Sequence, residues 1–252
     1  MASARVRGPG HPDLLCDLIA ATIAQEYLNR DPAACLDIRV MGAQGALFVA
    51  GELATQADFD VAAVVRRVVA ESGVMEEVEP FITLEPMGSG WAISPRTREV
   101  WTALGYATNE TPERVPRVVA QARLMAQAVE HERIANPDWF WLGTDYEVWA
   151  EEQGKAITIT LRVSHIETVS VTDVRDRIIS LLQPLALGQT IHVNLAGEEH
   201  QTGLGKRLGS SGRSGSIDQL GSLLPGTATG IGRQIRHPAN AGSWIARALA
   251  RE

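Results

Sequence analysis

Apolar positions recur along residues 13–28 as Leu14, Leu15, Leu18, Ile19, Ala21, Ile23 and Leu28. That spacing predicts an amphipathic helix, and Pro12 suits its first turn, where a missing N–H costs nothing. Two strands are expected over 35–40 and 45–53, around a Gly-containing turn at 41–44. Val61, Val64, Val65 and Val68 form one stripe of a second helix over 58–71. A long Ala-rich helix is expected over 112–135, opened by Thr111 and Pro112 with Glu113 in its first turn. ITITLRVS over 157–164 alternates as a strand does. Residues 170–183 read as a helix opened by Ser170 or Thr172, TIHVNL over 190–195 as a strand, and 241–251 as a last helix. The two strand–helix groups are alike in layout, and the fold class is α+β.

Composition shifts after Asn194. From Gly197 to Gly242 the chain is rich in Gly and Ser and carries Lys206, Arg207, Arg213, Arg233 and Arg236. Asp218 is the only acid between Gln201 and the last helix. A flexible linker has such a composition. So does a set of phosphate-binding loops, where glycines let backbone N–H groups approach an anion and cations neutralise it. The cation excess inside a chain of net charge −7 favours the second reading. That acidic balance speaks against general nucleic-acid binding. No apolar run reaches the roughly 18 residues of a membrane span, and the charged N-terminus lacks the apolar core of a signal peptide. A cytoplasmic protein is expected. Cys16 and Cys35 lie in apolar contexts and read as free thiols in a reducing compartment.

His11 and Asp13 stand together at the mouth of the first helix, in GHPDLLCDLIAATI. Alone, such a pair is most often a capping device. His131, His165, His192, His200 and His237 show no metal-ligand spacing with each other or with the cysteines. Trp139, Phe140 and Trp141 read as a packing cluster. Gly203, Gly205 and Gly209 lack the βαβ context of a dinucleotide fingerprint.

Several stretches, in order, resemble the S-adenosylmethionine synthetase family. GHPDLLCDLIAATI resembles its GHPDK signature helix, DPAACLDIRVMGAQGALFVAGEL its next segment, GYATNETPE at 105–113 its most specific run, and WLGTD at 141–145 its Trp–Leu–Arg–Pro–Asp. VSHIETVSVTDVRDRIISLLQPLAL is a weaker match, TGLGKR a worn one, and GIGRQIRHPANAGSWIARALAR the faintest.

The resemblance implies a pseudo-threefold repeat of sheet-plus-helix units with the last unit reduced or missing. The expected segments are 1–104, 105–196 and 197–252. It implies a homodimer with the active site between subunits, and transfer of the ATP adenosyl group to methionine or a methionine-like thioether. By position, His11 lies beside the scissile bond and the phosphates, and Asp13 holds Mg²⁺. Glu52 and Glu99 face methionine, and Asp145 helps hold ATP. Lys155 is the phosphate lysine if 146–153 are an insertion. Lys206, Arg207, Arg233 and Arg236 add phosphate contacts. Leu14 stands where the family has the lysine of GHPDK. Leu36 replaces a glutamate that supports K⁺ there. The family's Gly–Asp–Gln–Gly is absent before GYAT. A catalytically lapsed homologue acting as a nucleotide-binding or regulatory partner is the alternative reading.

Overall fold

The computed structural model describes residues 2–74, 77–88, 102–154, 156–186, 188–200, 203–213, 230–234 and 237–252. Its organising unit is a helix, an antiparallel hairpin, a crossover helix and a parallel strand. In the first copy α1 (Pro12–Arg30) leads into β2 (Cys35–Ala43) and β3 (Ala46–Ala54), then α2 (Val61–Glu71) and β4 (Glu79–Pro86). In the second, α3 (Arg117–Ala135) leads into β5 (Leu142–Gln153) and β6 (Ala156–His165), then α4 (Val171–Leu182) and β7 (Thr190–Val193). In each copy the hairpin is antiparallel and the last strand lies parallel to its neighbour, which requires a crossover such as α2 or α4 provides.

Each sheet is completed by a strand from elsewhere. β1 (Ala2–Arg7) pairs with β5, giving the order β1-β5-β6-β7. The two-residue β8 (Gly209–Ser210), which follows the short α5 (Gly203–Lys206), pairs with β2, giving β4-β3-β2-β8. The first and last chain segments are thus woven into sheets built mainly by others. A final helix, α6 (Pro238–Arg251), opens as α1 does. In both, a histidine is the N-cap and proline the first helical residue. His11 and His237 adopt nearly the same extended backbone, φ −64°, ψ 131° and φ −61°, ψ 135°.

Each sheet buries one face under its own helices. Leu15, Ile19 and Ile23 of α1 and Val65 of α2 pack on Leu36, Ile38, Leu47 and Val49, and Leu204 of α5 joins this core. Val118, Ala122 and Met125 of α3 and Val174, Ile178 and Leu182 of α4 pack on Val148, Ala150, Ile159 and Leu161. Trp141 is buried in the second core and stacks on Trp139, whereas Phe140 is exposed.

Most expected elements lie where the pattern puts them, with local corrections. The first hairpin turns at Gln44 and Gly45, both at positive φ, and not over 41–44; residues 41–43 extend β2. The long helix begins at Arg117, not 112. Thr111 Oγ1 accepts from the Val115 N–H, and Arg114 is left-handed, so a separate turn precedes the helix. Glu110 then caps α3 from outside by accepting the Arg117 N–H at 3.0 Å. The last helix begins at Pro238. β1, β4, β5 and β8 had no counterpart in the pattern. Of the outward positions of β5, Asp145, Glu147 and Glu151 are acids, poor strand formers, and Trp149 interrupts the apolar–polar alternation.

Ile159 is fully buried between α3 and α4. Ile159→Ala is expected to destabilise the fold by about 2–5 kcal/mol in denaturant titrations, through lost burial and a residual cavity.

Candidate active site

The site begins at the passage from β1 into α1. Gly8 and Gly10 continue the β1–β5 ladder by donating to the carbonyls of Tyr146 (2.8 Å) and Thr144 (3.0 Å). A Cβ at Gly10 would collide with Thr144, so the chain can lie this close only as glycine. His11 then caps α1: its Nδ1 accepts the Asp13 N–H at 3.1 Å. A capping Nδ1 is unprotonated, so the neutral ring carries its proton on Nε2. That nitrogen contacts Glu147 Oε1. Local capping therefore sets the tautomer and aims the one N–H of the ring.

Strand register supplies the rest. Arg7, Glu147 and Arg162 stand in one row across β1, β5 and β6, on the face opposite the second core. Glu147 receives Arg5 at 2.7 Å and Arg207 at 3.0 Å as well as His11, with Arg162 at 3.7 Å. Two residues along β5, Asp145 accepts from Arg162 at 2.6 Å. Nη2 of Arg207 straddles its two oxygens at 2.6 and 2.7 Å, and the Gly203 N–H adds a bond at 2.8 Å. Burial alone would raise the pKa of both acids. The Glu147 carboxyl is nonetheless held below the usual range by His11, Arg5 and Arg162, and that of Asp145 by the charges of Arg162 and Arg207. For His11 burial is the larger influence; it lowers the imidazole pKa despite the bond to Glu147. The pair is a neutral imidazole donating to a carboxylate.

The acids of α1 hold the basic segment. Asp13 Oδ1 accepts the Ser210 N–H at 3.0 Å and Asp17 Oδ1 the Gly212 N–H at 2.5 Å. Asp13 Oδ2 faces Arg7 at 3.7 Å and Arg213 at 3.9 Å. Cys16, between these acids, is a buried free thiol whose pKa burial pushes up to about 12. Cys35 is free as well.

Residues 1–85 match the sequence profile of the S-adenosylmethionine synthetase N-terminal domain. The chain superimposes on an unusual S-adenosylmethionine synthetase from Campylobacter jejuni with a TM-score of 0.84, covering 99% of this chain and 72% of that one at 21% identity. The fold is therefore that of the S-adenosylmethionine synthetases. In sequence the chain is 25% identical to the S-adenosylmethionine synthase of Mycoplasmopsis synoviae, over 97% of its own length and 70% of the relative's. It is 26% identical to that of Aquifex aeolicus, over 96% and 71%. In fold over its length, and in sequence at this level of identity, the chain is similar to the S-adenosylmethionine synthetases.

The structure brings His11, Asp13, Asp145 and Arg207 into one cluster, with Lys206 at its edge through Glu199 at 3.3 Å. Glu52 and Arg233 lie elsewhere, around Asp37. Glu52 is exposed on β3 opposite Asp37, and Arg233 donates to Asp37 at 2.5 Å and meets His237 Nε2 at 3.2 Å. Glu99, Lys155 and Arg236 lie outside the described residues. Residues 146–153 form the body of β5. Leu36 is buried in the first core and offers no oxygen, so this position does not fit K⁺.

Sequence reasoning missed Arg5, Arg7, Glu147, Arg162 and Asp17. The alternation of Arg5 and Arg7 just before GHPD was a usable signal. It also missed that His165, Glu198 and His200 converge, against the expectation drawn from spacing.

A lowered imidazole pKa favours the folded state above the ordinary value near 6.5 and loses that contribution as pH falls through it toward the folded value. Urea midpoints should accordingly fall between about pH 7.5 and 5. His11→Asn, which keeps a capping acceptor, should flatten that part of the slope. His11→Ala should also lose about 0.5–2 kcal/mol of cap at neutral pH. An unaltered slope in His11→Asn would refute this assignment.

Proposed function

We propose that this chain is a transferase of the S-adenosylmethionine synthetase kind. It would join ATP to methionine, or a methionine-like thioether, and release pyrophosphate and phosphate. The observation that carries the reading is the junction just described. There a neutral His11 N–H, the start of α1, and Arg7, Arg162 and Arg207 meet beside Asp13. This is a buried, cation-rich anchor for a polyanion at a helix N-terminus.

In the reaction a sulfur lone pair forms the S–C5′ bond. The C5′–O bond breaks, and its electrons leave on the triphosphate, which water then splits. On exchanging its contact with Glu147 for one with substrate, His11 would donate Nε2–H to the leaving oxygen without giving up its proton, because its lowered pKa keeps it neutral. Arg207, straddling Asp145, can turn one face to a phosphate. Glu52 would face the methionine ammonium. All three segments, 1–104, 105–196 and 197–252, would contribute.

Asp13 fits Mg²⁺ held mostly by phosphate and water. Among the described residues its Oδ2 has only the long contacts to Arg7 and Arg213, which leaves lone pairs available. The ion would neutralise triphosphate charge. A homodimer is supported by the open face of the first sheet, where Met41, Phe48 and Phe81 are about half exposed and the two phenyl rings stack at 5.1 Å. Among the described residues no helix is long and apolar enough to cross a membrane.

Glu147 favours a second reading. Its carboxylate already occupies Arg5, Arg162 and Arg207, as it would in a catalytically lapsed homologue acting as a nucleotide-binding or regulatory partner.

The test is one assay of the full chain with ATP, Mg²⁺ and methionine, scoring S-adenosylmethionine, phosphate and pyrophosphate together. Wild type is expected to form all three. His11→Ala should lose about 10²-fold or more in rate, with its fold checked by circular dichroism. ATP binding without any product would overturn the transferase reading and leave the binding one.

A further inference from the structure

Away from the His11 cluster, the end of β6 and the segment after β7 enclose a second group of ligating side chains. His165 closes β6, and its side chain is fully buried. Its N–H donates to the Glu199 carbonyl at 3.0 Å, which pins residues 198–200 alongside it. Glu198 and His200 flank that point. The donor atoms of His165, Glu198 and His200 all lie within 4.8 Å of one another.

The tautomers are set by the backbone. His165 Nδ1 stands 3.1 Å from the Ile166 carbonyl, and His200 Nδ1 3.3 Å from the His165 carbonyl. A carbonyl only accepts, so each Nδ1 carries the proton and each neutral ring presents the Nε2 lone pair. The Glu199 N–H, 3.3 Å from His165 Nε2, donates to the lone pair there, a long bond that a metal on Nε2 would replace. Both Nε2 atoms face one carboxylate oxygen, Glu198 Oε2, at 3.2 and 3.4 Å. Lone pairs turned on a carboxylate repel unless a proton or a metal cation lies among them.

The spacing says which cation. Two ligands about 2.0–2.1 Å from a tetrahedral Zn²⁺ stand about 3.3 Å apart, close to both glutamate–histidine distances. Each imidazole is held through its other nitrogen by a backbone carbonyl, the usual outer support of a metal-bound histidine. Both histidines line a cleft of about 920 Å³ with Ser164, Thr144 and Trp141, so a fourth coordination position has room for water or a small ligand.

We propose that His165, Glu198 and His200 form a three-ligand site for a divalent transition-metal ion of the zinc class, with its fourth position open to the cleft. This site does not rest on the transferase reading and is separate from Asp13.

The test uses the tag-free full chain, stripped with EDTA and titrated with ZnCl₂ by calorimetry. Wild type should bind one equivalent. Glu198→Gln and His200→Ala, whose side chains are 46% and 28% exposed, should fold as wild type does and lose at least about tenfold in affinity. His131→Ala, on the exposed end of α3, should leave binding unchanged. Affinity should fall on acidification, because protons compete with the metal for its ligands. Absence of stoichiometric uptake by wild type, or uptake that Glu198→Gln and His200→Ala leave unaltered, would overturn the proposal.

Discussion

The carboxylate of Glu147 is the constraint around which the two halves are arranged. Burying one ionised carboxylate costs several kcal/mol unless cations and hydrogen bonds meet it. Here they arrive from β1 (Arg5), the α1 cap (His11), β6 (Arg162) and the segment after α5 (Arg207). Three stretches separated in sequence, at 5–11, 162 and 207, are thereby tied to a single side chain. Asp145 repeats the arrangement two residues earlier and holds Arg207 and Arg162 from its other side. The pattern is one of mutual dependence: removing an arginine strands an acid, and removing an acid strands arginines.

The same start, a histidine cap followed by proline, opens both α1 and α6, yet their chemistry differs. In α1 the next residue is Asp13, and a turn later Asp17; in α6 the corresponding positions are Ala239 and Ser243. The cap geometry is shared, with Nδ1 accepting from the second helical residue at 3.1 and 3.2 Å. Only the first copy adds acids that hold a glycine-rich segment. A repeated structural device has thus been given a charged partner at one of its two occurrences.

Much of this was legible in the chain. The helices of the first copy, the β2–β3 hairpin and β6 follow from apolar spacing, because each has one face against a core. His11 and Asp13 stood out because they open a helix beside GHPD. What was not legible depended on register. Nothing local marks Glu147 or Arg162 as partners of Arg7; the row exists only once β1, β5 and β6 align. β5 itself was hidden because Asp145 and Glu147 on its outward face are poor strand formers whose burial comes from arginines elsewhere, and because Trp149 breaks the alternation. The His165, Glu198 and His200 group escaped spacing rules for a similar reason: its members come from a strand end and a distant turn that a backbone hydrogen bond brings together.

The row of Arg7, Glu147 and Arg162 has a consequence for how the chain finds its fold. β1 is short and lies at a sheet edge, where sliding by one position along β5 would retain many backbone hydrogen bonds. Such a slip reverses which side chains face which way. Val6 would then meet Glu147, and His11 would be carried out of reach. The misaligned sheet would enclose a carboxylate without Arg5 and His11. The charged row thus acts as a proofreader of strand alignment: it adds little to the depth of the native state but makes the neighbouring alignments expensive.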